Sequence, residues 1–256
     1  MHRVTFRDPA GAVRTGELDG DEVTFGSHRY DRSEVTLMAP VEPSTIICVG
    51  LNYSDHAEET DSEIPERPLL FIKTPNTVAA PGSTVHLPDK DRIDYEGELG
   101  VVIGSQCRNV SAEQAEAVIA GYTCVNDISN RTDQREEQNW VRGKAFDNAA
   151  PMGPVLATPD ELPEDASITL SVNGETKQDS TIANLIFSIP ELIEEITALM
   201  TLEPGDVIST GTPAGVGPLS GGDEVAVTIE GVGTLSHEVV AGEFAGPIEH
   251  NFMPNL

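Results

Sequence analysis

The feature that most constrains the fold is a stretch near the middle of the chain, residues 94–104, with the sequence DYEGELGVVIG. Its second half, Val101 to Ile103 between two glycines, predicts a buried β-strand. Side chains alternate between the faces of a strand, so Glu96 and Glu98 are expected to point the same way. Neighbouring carboxylates at the head of a buried strand repel each other unless they share a proton or bind a cation. An all-oxygen pair favours a hard cation such as Mg²⁺, Mn²⁺ or Ca²⁺. The alternative is an exposed strand end in a very acidic protein.

Charge is the most unusual feature of the composition. The 256 residues include 43 acidic and 15 basic side chains, which gives a formal net charge of −28. The acids are scattered along the chain, a pattern that predicts an acidic surface everywhere and argues against nucleic acid as a partner. Salt screens the self-repulsion of such a surface, so we expect a salt-loving source, with an ordinary acidic mesophile protein as the alternative.

The hydropathy pattern gives an expectation for the location of the protein. No apolar run approaches the roughly 20 residues that a membrane-spanning helix needs, and the N-terminal sequence lacks the apolar core of a signal peptide. We therefore expect a cytoplasmic protein that does not engage a membrane.

The three cysteines are far apart, and the apolar neighbours of Cys48 and Cys124 favour buried, inert thiols over a metal site.

A histidine and a glutamate mark a candidate general base. The segment from Ser54 onward favours a helix, with Ser54 or Asp55 as its N-cap. His56 and Glu59 are three residues apart, so on a helix they share a face. A carboxylate beside an imidazole orients it and raises its basicity. The alternative is a solvent-facing pair with no chemical role.

Three more charged residues lie in apolar surroundings. Lys73 ends an apolar strand, where it either binds an anionic substrate or simply reaches the surface. Lys144 is a second lysine in an apolar context. Asp127 is the single acid of a predicted strand over residues 122–129 and is either a third oxygen ligand beside the two glutamates or a turn cap.

The remaining pattern predicts the domain organisation and the helices. Short strands and turns over residues 1–42 predict a small N-terminal β-domain, followed by a main domain over residues 43–256. Helices are predicted over residues 111–120, with Ser111 as N-cap and Gly121 as the stop, over 131–139 and over 189–202. The Gly-rich loop 210–217 would let a ligand approach the backbone closely.

Seven segments, taken in order, resemble the fumarylacetoacetate hydrolase family. They are GLNYSDHAEE, PLLFIKTPN, DYEGELGVVIG, GYTCVNDISNRTDQ, RGKAFDNAAPMGP, VNGETKQDSTIANLIFS and LEPGDVISTGTPAGVG. The resemblance spans residues 45 to about 240. It implies an α+β, mainly β fold, a β-sandwich roll of mixed strands with a few helices.

The resemblance also implies the roles of individual residues. A divalent metal, usually Mg²⁺, would bind Glu96, Glu98 and Asp127. The catalytic residues would be His56, Glu59 and Lys144. The substrate would be bound by Lys73, Arg131 and Thr212. Asn52 stands near the position of an additional aspartate ligand of the founding hydrolase, which points towards the acylpyruvate hydrolases and related isomerases and decarboxylases.

These implications predict an enzyme that acts on a 2-oxo acid through an enolate. Because both His56 and Glu59 are present, we favour Mg²⁺-dependent hydrolysis of a C–C bond in an acylpyruvate-like 2,4-dioxo acid. Isomerisation of a dienoate dicarboxylate or decarboxylation of oxaloacetate on the same site are the alternatives, and a metal-binding protein without catalysis is a further one. The resemblance also implies a homodimer.

Overall fold

A computed structural model of the chain describes residues 1–242. The strands are β1 (His2–Arg7), β2 (Val13–Asp19), β3 (Glu22–Phe25), β4 (His28–Asp31), β5 (Thr36–Leu37), β6 (Ile46–Val49), β7 (Leu70–Lys73), β8 (Val78–Ala79), β9 (Thr84–Leu87), β10 (Ile93–Tyr95), β11 (Gly97–Ile103), β12 (Ile119–Asn126), β13 (Ser129–Asn130), β14 (Ala150–Ala157), β15 (Ser167–Val172), β16 (Glu175–Thr181), β17 (Val207–Ser209), β18 (Gly217–Pro218), β19 (Glu224–Ile229) and β20 (Gly233–Ala241). The α-helices are α1 (Ser54–Glu59), α2 (Arg131–Glu136), α3 (Val141–Lys144) and α4 (Ile189–Leu199). Short 3₁₀ helices cover Arg32–Glu34, Pro75–Thr77, Ala112–Val118, Pro159–Glu161 and Ile182–Asn184. Strand residues outnumber helical residues by 42% to 19%, so the predicted mainly β class is confirmed.

Most strands join one large sheet. Its order is β4-β3-β2-β1-β14-β12-β11-β17-β6-β7, with β5 beside β1 and β8 beside β14. A second sheet has the order β16-β15-β19-β20-β9, and a small third sheet has the order β13-β10-β18. The pairs β6–β17, β8–β14 and β9–β20 are parallel, and the other ladders are antiparallel. The sheets are therefore mixed, as the resemblance implied.

The main core lies between the large sheet and the second sheet. Strands β11 and β12 contact β15 and β19 across it. Alternate residues of β15 and β19, such as Ile168, Leu170 and Val227, are fully buried, whereas every residue of β11 is buried. This inward and outward alternation is the pattern that lets two sheets share one apolar layer.

The N-terminal strands continue the large sheet. β1 pairs with β14 through His2 opposite Ala157, and Val4 and Phe6 belong to the same buried cluster as Leu99. The boundary at residue 42 stays a prediction. Of the predicted main domain, residues 243–256 lie outside the described part of the chain.

The helix predicted over residues 111–120 is wrong in type and extent. A 3₁₀ helix covers Ala112–Val118, the Ser111 side chain makes no capping hydrogen bond, and β12 begins at Ile119. Gly121 lies inside that strand instead of ending a helix. A glycine is needed at this position because a Cβ atom there would lie 2.1 Å from the carbonyl oxygen of Ala157 in β14. Close pairing with β14 therefore decides the conformation of this segment.

The other predicted helices are present with shorter bounds. Tyr53, rather than Ser54 or Asp55, occupies the N-cap position of α1. Helix α2 ends at Glu136 and α4 ends at Leu199. Within residues 1–242, no helix is long and apolar enough to cross a membrane.

Candidate functional site

Three carboxylates meet at the paired ends of β11 and β12. Glu96 immediately precedes β11, Glu98 lies within it and Asp127 follows β12. The register pairs Gly97 with Asn126, and the Asp127 amide donates to the Glu96 carbonyl at 2.8 Å. One oxygen from each of the three carboxylates lies within 4.8 Å of the others, and all three residues are buried. The fold therefore brings Glu96, Glu98 and Asp127 together as predicted, and we call these three residues the carboxylate triad.

Glu98 receives only neutral hydrogen-bond donors. The hydroxyl of Ser209 at the end of β17 donates to its Oε2 at 2.5 Å, and the amide of Gly211 donates to the same oxygen at 3.0 Å. Burial, together with the charges of Asp127 and Glu96, raises the pKa of Glu98 to about 8. Without a bound cation, this carboxyl therefore holds a proton at neutral pH.

Lys144 bridges the other two carboxylates. Its Nζ, at the end of α3, donates to Glu96 Oε2 at 2.6 Å and to Asp127 Oδ2 at 2.8 Å. Burial opposes the positive charge, but Asp127 and Glu96 outweigh it and hold the pKa of Lys144 above its ordinary value. Burial likewise opposes the charge of Glu96, but Lys144 and Arg131 hold the pKa of Glu96 well below its usual range.

Lys73 lies beneath Asp127 and is fully buried. Its ammonium donates to the backbone carbonyls of Ile128, Lys144 and Ala149 at 3.2, 2.6 and 2.9 Å. It also lies 2.8 Å from Asp127 Oδ1, but it is not aligned for a hydrogen bond there, since its three donors already have acceptors. This environment places Lys73 against a carboxylate of the triad rather than at the surface, and its predicted role in binding substrate stays a prediction.

Arg131, the first residue of α2, contacts the triad from another side. Its Nε donates to Asp94 Oδ2 at 2.9 Å, Nη1 donates to Gln134 at 2.8 Å, and Nη2 donates to Glu96 Oε1. The guanidinium is shared between two acidic residues, so it compensates only part of the charge of Glu96. Its predicted contact with substrate is likewise untested.

His56 and Glu59 form the pair that the helical spacing predicts. His56 Nδ1 lies 3.3 Å from Glu59 Oε2 on α1. The Glu59 carboxylate also accepts the amide N–H of Gly215 at 3.1 and 3.2 Å, which ties α1 to the Gly-rich loop. His56 is largely buried and Glu59 is more exposed.

Thr212 lies on the same loop, but its hydroxyl is committed to neighbours within the protein. It donates to the Gly97 carbonyl at 3.0 Å and accepts from Gln178 Nε2 at 2.8 Å. Gln178 Oε1 in turn accepts the Gly97 amide at 2.9 Å. Together they hold the backbone between the two glutamates on both sides, while the predicted substrate contact of Thr212 stays a prediction.

Asn52 also serves the backbone. Its Nδ2 donates to the carbonyls of Thr210 and Phe187, and its Oδ1 accepts the amide of Phe187. The side-chain amide of Asn52 is therefore fully used in hydrogen bonds to the backbone, and Asn52 does not supply a fourth carboxylate beside Glu96, Glu98 and Asp127.

Sequence reasoning did not single out Gln178, Asn126, Ser209 or His237. Each lies within a strand and is buried. Gln178 lies among polar residues in β16, and only its burial in the structure distinguishes it from them. Their roles depend on contacts between distant segments, which periodicity does not reveal.

The donor set fits a hard divalent cation. Three buried carboxylates supply only oxygen ligands, which Mg²⁺, Mn²⁺ and Ca²⁺ prefer. Asp127 Oδ1 is buried and accepts no hydrogen bond from the described residues. Lys73 Nζ lies 2.8 Å from this oxygen without aligned hydrogen-bond geometry, so the oxygen keeps lone pairs that a cation could bind. Glu96, Glu98 and Asp127 can therefore hold a metal.

The comparisons with known proteins agree with this geometry. Residues 45–240 match the family described as "Fumarylacetoacetate (FAA) hydrolase C-terminal". The chain is 46% identical over 230 residues to the oxaloacetate tautomerase YisK of Bacillus subtilis, an alignment that covers 84% of this chain and 76% of the relative.

Solved structures share the whole fold. The chain superposes on a 5-carboxymethyl-2-hydroxymuconate delta-isomerase from Mycobacterium smegmatis with a TM-score of 0.88 and 40% identity, over 95% of this chain and 100% of that one. A maleylpyruvate hydrolase from Sphingobium sp. SYK-6, in complex with manganese(II) ion and pyruvate, gives a TM-score of 0.81 and 28% identity, over 95% and 100% of the two chains. This chain is therefore an enzyme of the fumarylacetoacetate hydrolase family.

Proposed function

We propose that this enzyme interconverts the keto and enol forms of oxaloacetate, with a divalent cation held by Glu96, Glu98 and Asp127. The observation that carries the proposal is the 46% identity to an oxaloacetate tautomerase over most of both chains. Identity of this extent supports a shared reaction more strongly than the 28% identity to a maleylpyruvate hydrolase supports hydrolysis.

His56 is the proposed base, and Glu59 orients its ring through the contact at 3.3 Å. In the keto-to-enol direction the C–H bond at C3 breaks, and its proton moves to the imidazole. The electron pair of that bond forms the double bond between C2 and C3, and the former carbonyl oxygen takes up a proton from water. A positioned base of this kind contributes roughly 10²–10⁴ to the rate.

Lys144 supplies a permanent positive charge beside the carboxylates. Its pKa is raised, so it is a poor acid and stabilises negative charge on the substrate without giving up its proton. A bound divalent cation would supply Lewis acidity and a template that orients the 2-oxo acid. We propose Mg²⁺ as that cation, with Mn²⁺ or Ca²⁺ as alternatives. The manganese in the structure of the related hydrolase supports an all-oxygen site of this kind.

The second candidate is hydrolysis of an acylpyruvate, which the His56–Glu59 pair favours. In that reaction His56 would deprotonate a water that attacks the 4-oxo carbon, and the C–C bond would break to release the enolate of pyruvate. The same residues would serve both reactions, so the product and not the site distinguishes them.

The test follows the loss of the ultraviolet absorbance of enol-oxaloacetate in molar KCl, with Mg²⁺ or with EDTA. We expect Mg²⁺-dependent loss without pyruvate formation, and at least a 100-fold lower kcat in His56→Ala. His86→Ala, which removes an exposed histidine on β9, is the matched control and should keep full activity. Pyruvate formation from oxaloacetate would indicate decarboxylation. Faster turnover of acetylpyruvate to pyruvate and acetate would establish the hydrolase instead.

We also propose that the enzyme is a homodimer, from the resemblance to its family. Size-exclusion chromatography with light scattering in high salt tests this assembly. A mass near 27.3 kDa, the mass of one chain, would contradict it.

A further inference from the structure

A buried histidine far along the chain is connected to the candidate metal site. His237 lies on β20 and is only 1% exposed. Its Nε2 lies 2.9 Å from Nδ2 of Asn126, the last residue of β12 and the immediate neighbour of Asp127. None of the reaction steps above uses His237.

The hydrogen bonds fix both side chains in one arrangement. Oδ1 of Asn126 accepts the amide N–H of Glu96 at 2.9 Å, so the other end of the amide, Nδ2, is a donor. It therefore donates to Nε2 of His237, which must be unprotonated to accept. The ring is then neutral with its proton on Nδ1, in agreement with the burial that lowers the pKa of His237 to about 4.

This arrangement holds the backbone of a metal ligand where no strand ladder does. Glu96 lies between β10 and β11, and its amide hydrogen bonds to the Asn126 side chain instead of a neighbouring strand. Its carbonyl accepts the amide of Asp127 at 2.8 Å. Residues 126 and 127 thus fix both sides of the Glu96 backbone while Asp127 itself supplies a second ligand.

Stability alone does not explain a histidine at this position. Nδ1 of His237 is buried and has no hydrogen-bond partner among residues 1–242, which costs roughly 1–3 kcal/mol. An apolar side chain would avoid that cost. It would also leave Nδ2 of Asn126 without an acceptor and free the amide to rotate away from Glu96.

We propose that His237 is a positioning residue for the metal site. Its Nε2 lone pair orients the Asn126 amide, which holds Glu96 and Asp127 at the separation that a divalent cation needs. This inference rests on the proposed cation site, and His237 itself touches neither metal nor substrate. Residues that orient metal ligands in this way typically change metal affinity by about 10–100-fold when they are removed.

The experiment measures Mn²⁺ affinity of the full chain by isothermal titration calorimetry, with thermal unfolding of each variant alongside. His237→Leu should weaken Mn²⁺ binding by at least about tenfold. His237→Gln places an amide oxygen close to the position of Nε2 and should remain within about threefold of the wild type. Val239→Ala, on the same strand and equally buried, should lower the unfolding temperature without changing the affinity for Mn²⁺.

The outcomes separate this inference from the proposed function. Wild-type affinity in His237→Leu would overturn the positioning role, and so would an equal loss of affinity in Val239→Ala. If the wild type itself does not bind Mn²⁺, the proposed cation site fails instead. Should His237→Leu not fold, His237→Met carries the same expectation, since methionine adapts better to irregular space.

Discussion

Binding of a divalent cation should expel a proton from Glu98 at neutral pH. In the metal-free protein this carboxyl is buried beside the carboxylates of Asp127 and Glu96 and receives only neutral donors, and its pKa is raised to about 8. A metal ligand must be deprotonated, so the cation competes with that proton. The perturbation is therefore simply a change of pH during a metal titration.

The expected magnitude follows from this pKa. About nine in ten Glu98 side chains carry a proton at pH 7, and about one in ten at pH 9. Affinity for Mg²⁺ should therefore rise about tenfold from pH 6 to pH 7, about tenfold again from pH 7 to pH 9, and then level off. The stability of the metal-free protein should fall as the pH rises from the ordinary value of 4.5 to about 8. In that window the folded chain binds more protons than the unfolded chain.

Calorimetric titration in two buffers with different ionisation enthalpies measures the protons released. We expect about 0.9 proton per Mg²⁺ at pH 7 and about 0.1 at pH 9. Glu98→Gln is the matched control, because it keeps the shape of the side chain but has no proton to release. Release that persists in Glu98→Gln would show that another group is the source, and no release in the wild type would refute the raised pKa of Glu98.

Two further predictions concern stability. Lys144→Met leaves Glu96 and Asp127 without their shared cation, so the metal-free variant should lose about 3–5 kcal/mol of unfolding free energy. Urea unfolding measures this loss, saturating Mg²⁺ should recover part of it, and an unchanged midpoint would contradict the bridging role. The folded pKa of His237 is about 4 against an ordinary 6.5, so the unfolded chain binds more protons between these values. The contribution of His237 to the free energy of unfolding should therefore be fully present above pH 6.5. It should be lost as the pH falls towards 4, by up to roughly 3 kcal/mol. In His237→Gln the free energy of unfolding should fall less steeply over the same acidic range. Parallel acid limbs in the two proteins would contradict this prediction.

Two members of the triad could be predicted from local rules. Alternation along a strand places Glu96 and Glu98 on one side. Asp127 is assigned as the third ligand by the family resemblance, because its own segment is equally consistent with a turn cap. Helical spacing likewise predicts the His56–Glu59 pair. The local conformation alone places each of these two pairs on a shared face, while the resemblance implies their roles.

The surrounding network could not be predicted in this way. Asn126 and His237 are separated by 111 residues, and Gln178 reaches Gly97 across 81 residues. Their contacts exist only because two sheets pack together. The error at Gly121 has the same origin, since the helical pattern before it is overridden by pairing with β14.

The distribution of positive charge explains why a cation should bind at this triad. The chain has only four lysines in a total charge of −28, and two of them, Lys73 and Lys144, are buried against Asp127. Lys144 also pairs with Glu96. Glu98 alone in the triad has no cationic partner within ion-pair distance among the described residues.

That asymmetry assigns different tasks to the three ligands. Lys144 keeps Glu96 ionised without a metal and bridges it to Asp127. Glu98 is the carboxylate that a bound cation would stabilise most, because in the metal-free protein only a proton neutralises its charge. Replacing that proton by a dication adds one net positive charge to the site. A metal bound at this triad would therefore depend strongly on pH through Glu98, while the proposed role of His237 and Asn126 is to control the geometry of Glu96 and Asp127.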